Sequence, residues 1–163
     1  MLKTLLERRS IRKYKEKEVE KEKMNQILAV GKVAPSGKNK KPWELMPIKD
    51  NKILKKLSMV KPKGGLFLAE APICIAIIGN EEISDTWVED CSIVSTFIQL
   101  EACNQGLGSC WVQIKNRFTK DDEDAEILTK EILEIPSNKR VLCIIALGYS
   151  DEEKLAYKEE DIL

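Results

Sequence analysis

The sequence predicts one domain of the α+β or mixed α/β sandwich class, in which helices cover a small sheet. Two continuous apolar runs, Pro72–Gly79 and Val141–Gly148, are rich in β-branched residues, a pattern typical of strands that are buried on both faces. Long segments with helical periodicity separate these two runs. No linker or internal repeat interrupts residues 1–163, so we expect a single domain.

The first 65 residues alternate between helical and polar segments. Leu2, Leu5 and Leu6 have helical spacing and indicate a short helix that ends near Arg8. Asp50 is placed to cap a later helix. The other elements predicted here are a helix over Val19–Val33, a polar loop over Ala34–Pro42, a strand over Trp43–Ile48, a helix over Asp50–Leu57 and a loop over Lys61–Gly65.

The second part of the chain contains the longest predicted helix, Val88–Gln105. Gly106 is expected to end this helix as a left-handed residue. Ser109–Ile114 is predicted to be extended, and Asp121–Leu133 is predicted to be a helix with an acidic first turn. The polar tail from Tyr149 is expected to lie over a partner.

The apolar runs, the cysteines and the lack of histidine limit the cellular compartment and the catalytic chemistry expected of this protein. No apolar run approaches the ~20 residues that span a bilayer, and Met1–Lys13 lacks the long apolar stretch of a secretory signal. The five cysteines form no CxxC pair and the chain has no histidine, which removes the usual zinc spacings and imidazole-based catalysis. The odd number of cysteines suits a reducing compartment. We therefore expect a cytoplasmic protein without a membrane partner.

Positive and negative charges are segregated along the chain. Residues 1–65 carry 19 Lys or Arg against 7 Asp or Glu, whereas residues 66–163 carry 8 against 20. This pattern indicates either a basic surface for an anion or two halves that attract each other. A nucleic-acid binder is a rival interpretation, but the basic part has only Tyr14 and Trp43 as aromatic residues and no base-reading motif. We therefore expect no nucleic-acid partner.

The first candidate binding segment is the cluster of Arg8, Arg9, Ser10 and Arg12 at the end of the first helix. Guanidinium groups match phosphate oxygens with paired hydrogen bonds, and a hydroxyl adds a neutral one. Taken alone, however, the cluster is more typical of a solvated basic patch. Its interpretation depends on the other segments.

Two further segments supply polar groups of other kinds. Ser36 and Asn39 lie in the loop that Pro35 and Pro42 stiffen, and their side chains carry donors and acceptors suited to the edge of a polar heterocycle. The segment Gly106–Gln113 offers backbone groups after a helix end, a tryptophan and a side-chain amide. Each of the three segments is weak evidence of a binding site when taken alone.

Other motifs in the chain are not supported. Gly106-Leu107-Gly108 lacks the third glycine of a dinucleotide loop and follows a helix instead of a strand. No P-loop is present, and the acidic run Asp121–Asp124 has the wrong spacing for a calcium loop. Cys110 has no histidine to activate it, so we interpret this thiol as structural.

The chain resembles the FMN-dependent nitroreductase family in three segments that occur in the same order: RRSIRKY at Arg8–Tyr14, APSGKNKKPWE at Ala34–Glu44 and GLGSCWV at Gly106–Val112. The chain end EILEIPSNKRVLCIIALGYSDEE resembles the return strand and LGY turn of that family, so the likeness runs from about Leu5 to Ser150. The resemblance implies a three-layer α+β sandwich with a small mixed sheet, and a homodimer with two flavin sites at the subunit interface.

The resemblance also implies FMN as the cofactor of an oxidoreductase. Electrons would pass from NADH or NADPH through the flavin to a small acceptor such as a nitroaromatic or a quinone, with no acid or base required from the protein. A flavin-binding carrier or sensor without turnover is the alternative. The matching residues are Arg8, Arg9, Ser10 and Arg12 for the phosphate and ribityl end, Pro35, Ser36 and Asn39 for the loop at the ring, Trp111, Val112 and Gln113 along the ring, and Lys154 as a further phosphate ligand.

Two departures from the family pattern are visible. Lys41 stands where the family usually has glutamine before Pro-Trp, which is expected to alter ring contacts or surface charge. Few residues separate Gly79 from Val88 or Val112 from Asp121, where longer members carry extra helices. A more open active site is therefore expected.

Overall fold

The computed structural model describes residues 1–161 and confirms the α+β class. Its helices are α1 (Leu2–Glu7), α2 (Lys21–Val33), α3 (Asn51–Val60), α4 (Pro62–Gly65), α5 (Trp87–Asn104) and α6 (Ala125–Leu133). Its strands are β1 (Trp43–Ile48), β2 (Ile73–Gly79), β3 (Gly108–Gln113) and β4 (Arg140–Gly148). Short 3₁₀ turns cover Gly37–Asn39, Leu66–Glu70 and Glu159–Asp161. None of the helices in this range combines the length and apolar character needed to cross a bilayer.

The four strands form one sheet in the order β1-β2-β4-β3, and every neighbouring pair is antiparallel. Within residues 1–161 the parallel pairing is limited to an isolated bridge between Ser10 and Ser109. The mixed character expected of the sheet is therefore confined to this bridge. The two continuous apolar runs of the sequence are the central strands β2 and β4, which are covered on both faces.

Helices cover both faces of the sheet and produce three layers. Alternate residues of β2 point to opposite sides, so Cys74 and Ala76 pack with α3 and α6, while Ile75 and Ile77 pack with α2 and α5. The isoleucines of β2 are almost fully buried, and each such side chain stabilises the fold by roughly 1.5–3 kcal/mol. Pairing with β4 holds the edge strand β3 in place, and packing of α5 against the sheet determines where the two ends of this helix lie.

A β-bulge in β4 determines how the chain leaves β3. The register between β2 and β4 shifts at Ile77 and Ile78, so that Leu142 and Cys143 both pack into the core on the side of α2 and α5. The carbonyl of Leu142 accepts hydrogen bonds from the backbone N–H groups of both Ile114 and Lys115, each at 3.1 Å. The segment after β3 is therefore held firmly against β4.

The predicted helix over Asp121–Leu133 begins only at Ala125. The hydroxyl oxygen of Thr119 accepts from the backbone N–H groups of Asp121 and Glu123, which forms a turn in which Asp122 has a φ of +63°. A residue with this backbone conformation does not continue a helix. The carboxylate of Asp124 then caps α6.

Two smaller differences from expectation concern loops. The loop predicted over Lys61–Gly65 contains the single turn α4, although Gly64 has a φ of +91° and interrupts it. The tail packs on its own chain, because the backbone N–H of Tyr157 donates to the carbonyl of Leu6 at 3.0 Å. The tail thus contacts α1, and its expected position over a partner stays a prediction.

Candidate functional site

The segment Arg8–Arg12 runs beside the edge of the sheet. Its Ser10 forms a parallel bridge with Ser109, and the backbone N–H of Ile11 donates to the carbonyl of Ser109 at 3.0 Å. Alternate residues of an extended segment project to the same side. Arg8, Ser10 and Arg12 therefore share one side of this segment, as the sequence spacing requires for a common ligand.

The pKa of the Cys110 thiol in β3 is influenced by groups of the Arg8–Arg12 segment. Burial raises the pKa of Cys110, while the charge of Arg12, a hydrogen bond from the Ser10 hydroxyl and the charge of Arg8 act in the opposite direction. The thiol is thus within electrostatic reach of both guanidinium groups. Because the thiol is buried and its pKa is raised, it stays protonated at neutral pH, which agrees with a structural role.

The turn Gly106-Leu107-Gly108 makes this arrangement possible. Gly106 ends α5 with a φ of +74°, and the backbone N–H of Leu107 donates to the carbonyl of Ala102 at 2.8 Å. A Cβ atom at Gly108 would lie 2.8 Å from the side chain of Ile11. Glycine at this position therefore lets the Arg8–Arg12 segment approach β3 closely.

A cavity of about 410 Å³ opens at this end of the molecule and is lined by three of the predicted cationic ligands, Arg8, Arg9 and Lys154. The guanidinium of Arg9 donates to the carbonyl of Leu155 and lies 4.6 Å from the ring centroid of Tyr157. The ammonium of Lys154 lies 3.0 Å from a carboxylate oxygen of Glu152. The tail therefore occupies Arg9 and Lys154, whereas the guanidiniums of Arg8 and Arg12 have no carboxylate within 4.0 Å among the described ion pairs.

Glu152 lies at this candidate site, and the sequence did not indicate it. Its carboxylate accepts the backbone N–H of Arg12 at 2.6 Å and that of Lys13 at 3.3 Å. These backbone bonds, led by the one from Arg12, together with Lys154 lower the pKa of Glu152. The carboxylate thus anchors the backbone that carries Arg12, although no local pattern relates positions 12 and 152.

The predicted segment along the ring, Trp111–Gln113, lies on the edge strand β3. The carbonyl of Ser109 faces Ile11, so in the alternation of an antiparallel strand the backbone groups of Trp111 and Gln113 also point away from β4. The Val112 side chain is fully buried, and the side-chain amide of Gln113 bonds to the Trp111 indole at 2.9 Å and to the Lys115 carbonyl at 3.0 Å. This segment therefore offers backbone groups, not side-chain groups, to a ligand.

The predicted ring loop, with Pro35, Ser36 and Asn39, lies elsewhere. The Ser36 hydroxyl oxygen accepts the backbone N–H of Lys41 at 2.8 Å, and Asn39 is exposed with a φ of +54°. The ammonium of Lys41 donates to the Lys32 carbonyl at the end of α2. Lysine at this position thus caps a helix, and its charge complements the helix dipole there.

The buried carboxylate of Asp90 holds this loop and is the second position that the sequence did not indicate. Asp90 is 2% exposed and accepts the backbone N–H of Gly37 at 2.7 Å and the hydroxyls of Ser84 and Thr86, both at 3.1 Å. In the sequence it is one of two acidic residues in the first turn of a helix, which predicts only a favourable dipole interaction.

The two groups of predicted ligands lie at opposite ends of α5. The Asp90 contact places the ring loop at the N-terminal end of this helix, while Cys103 near its C-terminal end lines the cavity of Arg8. The helix has 18 residues, which corresponds to a length of about 27 Å. One chain therefore brings Arg8, Ser10 and Arg12 together with the edge of β3, but does not bring Ser36 and Asn39 to them.

Comparison with known proteins agrees with this architecture. The model of the nitroreductase family matches residues 5–63 and 57–149. A solved FMN-dependent nitroreductase from Clostridium difficile R20291 is 48% identical, covers 99% of this chain and 94% of its own, and superimposes with a TM-score of 0.96. A relative from Archaeoglobus fulgidus, provisionally assigned as an NADH dehydrogenase/NAD(P)H nitroreductase, is 34% identical over 98% of this chain and 91% of its own length.

The matched residues extend over nearly the whole chain and span the arginine segment, the loop held by Asp90 and the edge of β3. The chain belongs to the nitroreductase family.

Proposed function

We propose that the protein is an FMN-dependent oxidoreductase that takes electrons from NADH or NADPH and reduces a small acceptor such as a nitroaromatic or a quinone. The observation that carries this proposal is the placement of Arg8, Ser10 and Arg12 on one side of an extended segment that pairs with the edge of β3. The FMN-dependent name of the 48% identical relative supports the same cofactor.

The donor set fits the two chemically different ends of FMN. The guanidiniums of Arg8 and Arg12 and the hydroxyl of Ser10 suit a phosphate, because charge-assisted hydrogen bonds to guanidinium are strong and directional. The backbone groups of Trp111 and Gln113 that point away from β4 suit the polar edge of a flat heterocycle. Arg9 and Lys154 line the same cavity and add positive charge, although the tail already contacts both.

The bound flavin supplies the electron-transfer chemistry, which agrees with a chain that has no histidine. The part of the protein is to hold and orient the cofactor. Fixed positive charge from Arg8 and Arg12 favours binding of the anionic cofactor, and backbone N–H groups on the edge of β3 stabilise negative charge on a ligand beside them. No side chain has to transfer a proton in this scheme.

We further propose that two copies of the chain form a homodimer and complete each site together. The ring loop lies about one α5 length from Arg8 within a chain, so a second copy is required to supply it. A candidate interface is the apolar surface formed by Leu2 and Leu5 of α1 and Ile93 and Phe97 of α5, which are 36–46% exposed. Exposed apolar patches of this kind mark protein contacts.

The position of this surface also explains how the sites would be completed. Ile93 and Phe97 lie one helical turn apart on α5. They are between the ring loop at the N-terminal end of this helix and the Arg8 cavity at its C-terminal end. A twofold axis through such a surface pairs each end of one α5 with the opposite end of the other. The loop of one protomer, with Pro35, Ser36 and Asn39, would then reach the Arg8 end of its partner.

Subunit complementation tests the proposal. Arg8→Ala/Arg12→Ala protein and Ser36→Ala/Asn39→Ala protein are each expected to bind FMN poorly, but co-expression of the two should restore one intact site in every heterodimer. Random pairing would then yield roughly a quarter of the wild-type sites, measured as flavin absorbance per protein and as NAD(P)H oxidation with a quinone. Co-expression of wild type with the quadruple variant serves as the control.

Different outcomes separate the parts of the proposal. If the mixture binds no more flavin than the separate variants, both halves belong to one chain and the shared site is wrong. If wild-type protein binds flavin fully but does not oxidise NAD(P)H, the protein is a flavin carrier or sensor and not an enzyme. Colourless protein with salt-dependent RNA or DNA binding would instead favour the nucleic-acid interpretation.

We place the protein in the cytoplasm. All five cysteines are unpaired, and four of them are buried where they act as small apolar side chains. Thiols in this state suit a reducing compartment.

A further inference from the structure

A second cleft, of about 500 Å³, opens beside the end of β3. Its lining consists of Lys61, Pro62, Lys63, Arg117, Phe118, Thr119 and Lys120. Four of these seven side chains are cationic and none is acidic. Lys61 and Lys63 come from the basic first part of the chain, whereas Arg117 and Lys120 come from its acidic second part.

The positive charges in this cleft are not neutralised by the protein. None of the ion pairs found within residues 1–161 includes Lys61, Lys63, Arg117 or Lys120. Burial lowers the pKa of Lys61, and the nearby charge of Arg117 lowers it further. Two cations thus share a partly desolvated space, an arrangement that an anionic ligand would stabilise.

The walls of the cleft are held in place by backbone contacts. The backbone N–H of Arg117 donates to the carbonyl of Ile114 at 3.1 Å, and the carbonyl of Arg117 accepts from Ala125 at 2.9 Å. Gly65, two residues after Lys63, lies beside β3, because a Cβ atom there would be 3.5 Å from the Val112 side chain. Both walls of the cleft are therefore close to β3.

The cleft also contains an exposed aromatic ring. Phe118 is 56% exposed, and its backbone forms a bridge with that of Asp124. An exposed ring beside unpaired cations suits a ligand that carries both a flat heterocycle and a phosphate, because bases stack on aromatic side chains. Adenine nucleotides have these two features.

We propose that this cleft binds the phosphate-bearing adenosine end of the dinucleotide electron donor, with phosphate on Lys63 and Arg117 and adenine on Phe118. The inference rests on the proposed function. Arg117 follows Gln113 by four residues, so the cleft lies within about 14 Å of the ring segment and one extended donor can reach both. The phosphate contacted is either the pyrophosphate that NADH and NADPH share or the additional phosphate of NADPH.

Charge reversal in the cleft tests this assignment. Lys63→Glu/Arg117→Glu should raise KM for the donor by at least about tenfold, with flavin occupancy and kcat close to those of the wild type, since neither side chain lines the cavity of Arg8. A rise confined to NADPH identifies its additional phosphate, and an equal rise for both donors identifies the pyrophosphate. The matched control is Lys21→Glu/Lys52→Glu, which makes the same charge change in the first turns of α2 and α3.

Calorimetry with ADP and with adenosine 2′,5′-bisphosphate tests the cleft without flavin or turnover. Wild-type protein and the control variant should bind at least one of the two, and the Lys63→Glu/Arg117→Glu variant should bind neither. Phe118→Ala, which leaves the net charge unchanged, should weaken binding of the same nucleotide, while Phe118→Tyr should preserve it.

The proposal is overturned if neither nucleotide binds to wild-type protein, or if KM for both donors is unchanged in the cleft variant. An equal rise in KM in the control variant would also overturn it, because the effect would then come from the general electrostatic field. Wild-type protein that binds these nucleotides but lacks flavin would contradict the proposed oxidoreductase and not the nucleotide site.

Discussion

The two ends of α5 position their functional groups by different means. At the C-terminal end, Arg8 and Arg12 project from a backbone that Ser109 and the carboxylate of Glu152 hold, and their charges remain free for a ligand. At the N-terminal end, the backbone of the ring loop donates a hydrogen bond to the buried carboxylate of Asp90. The other partners of this carboxylate are two neutral hydroxyls.

This difference matches what each end is proposed to bind. A phosphate requires unpaired cations, and these can remain unpaired only where solvent or a ligand reaches them. A flat heterocycle requires neutral donors and acceptors at fixed positions, so the loop that supplies them is fastened to the core. The affinity for FMN should therefore depend on the arginines at the Arg8 end. The position of the ring loop should depend on the Asp90 carboxylate.

The largest effect is expected at the Arg8 end. Arg8→Ala/Arg12→Ala should weaken FMN binding by on the order of a hundredfold or more, because each charge-assisted bond contributes about 1.5–3 kcal/mol. The control is Lys13→Ala/Lys15→Ala, which removes the same charge from exposed side chains of the same segment. Flavin absorbance after dialysis measures the result, and a double variant that stays yellow would show that these arginines do not hold the phosphate.

An intermediate effect is expected at the Asp90 end, and mainly on stability. Asp90→Ala leaves the Gly37 N–H and two hydroxyls without their acceptor, which should lower the free energy of unfolding by about 3 kcal/mol and Tm by roughly 6–12 °C. Asp90→Asn should be milder because the hydroxyls can accept from its amide. Thermal melts of flavin-free protein measure this, with exposed Glu89→Ala as control. Equal losses in the Asp90→Ala and Glu89→Ala variants would mean that the Asp90 bonds do not hold the loop.

The smallest effect concerns the thiols along α5. Burial and the neighbouring Asp90 raise the pKa of Cys91 to about 12, and burial raises that of the partly exposed Cys103 less. As pH rises from 7 to 9, flavin-free protein should react with a thiol reagent faster at Cys103 and not at Cys91, because only the thiolate reacts. Bound FMN should slow labelling of Cys103 several-fold, since this residue lines the Arg8 cavity. Peptide mass analysis of the labelled protein identifies the site, and faster labelling of Cys91 would contradict the assigned burial.

Local patterns predicted most of the elements. Both buried strands, the long helix α5 and the Asp50 cap depend on periodicity and capping within a few residues, and the structure contains all of them. The common side shared by Arg8, Ser10 and Arg12 also follows from local geometry, because any extended segment places alternate residues together. The start of α6 was misplaced because the turn centred on Thr119 competes with the helix for the same acidic residues.

The sequence by itself therefore determined the fold class, the family resemblance and the residue types of the candidate site. Only the tertiary structure showed that β3 is an edge strand, that Glu152 and Asp90 hold the arginine segment and the ring loop, and that α5 separates the two. These features depend on strand order and on contacts between residues 53 and 140 positions apart. No local pattern encodes such contacts, because they arise only when the sheet and its two helical layers pack together.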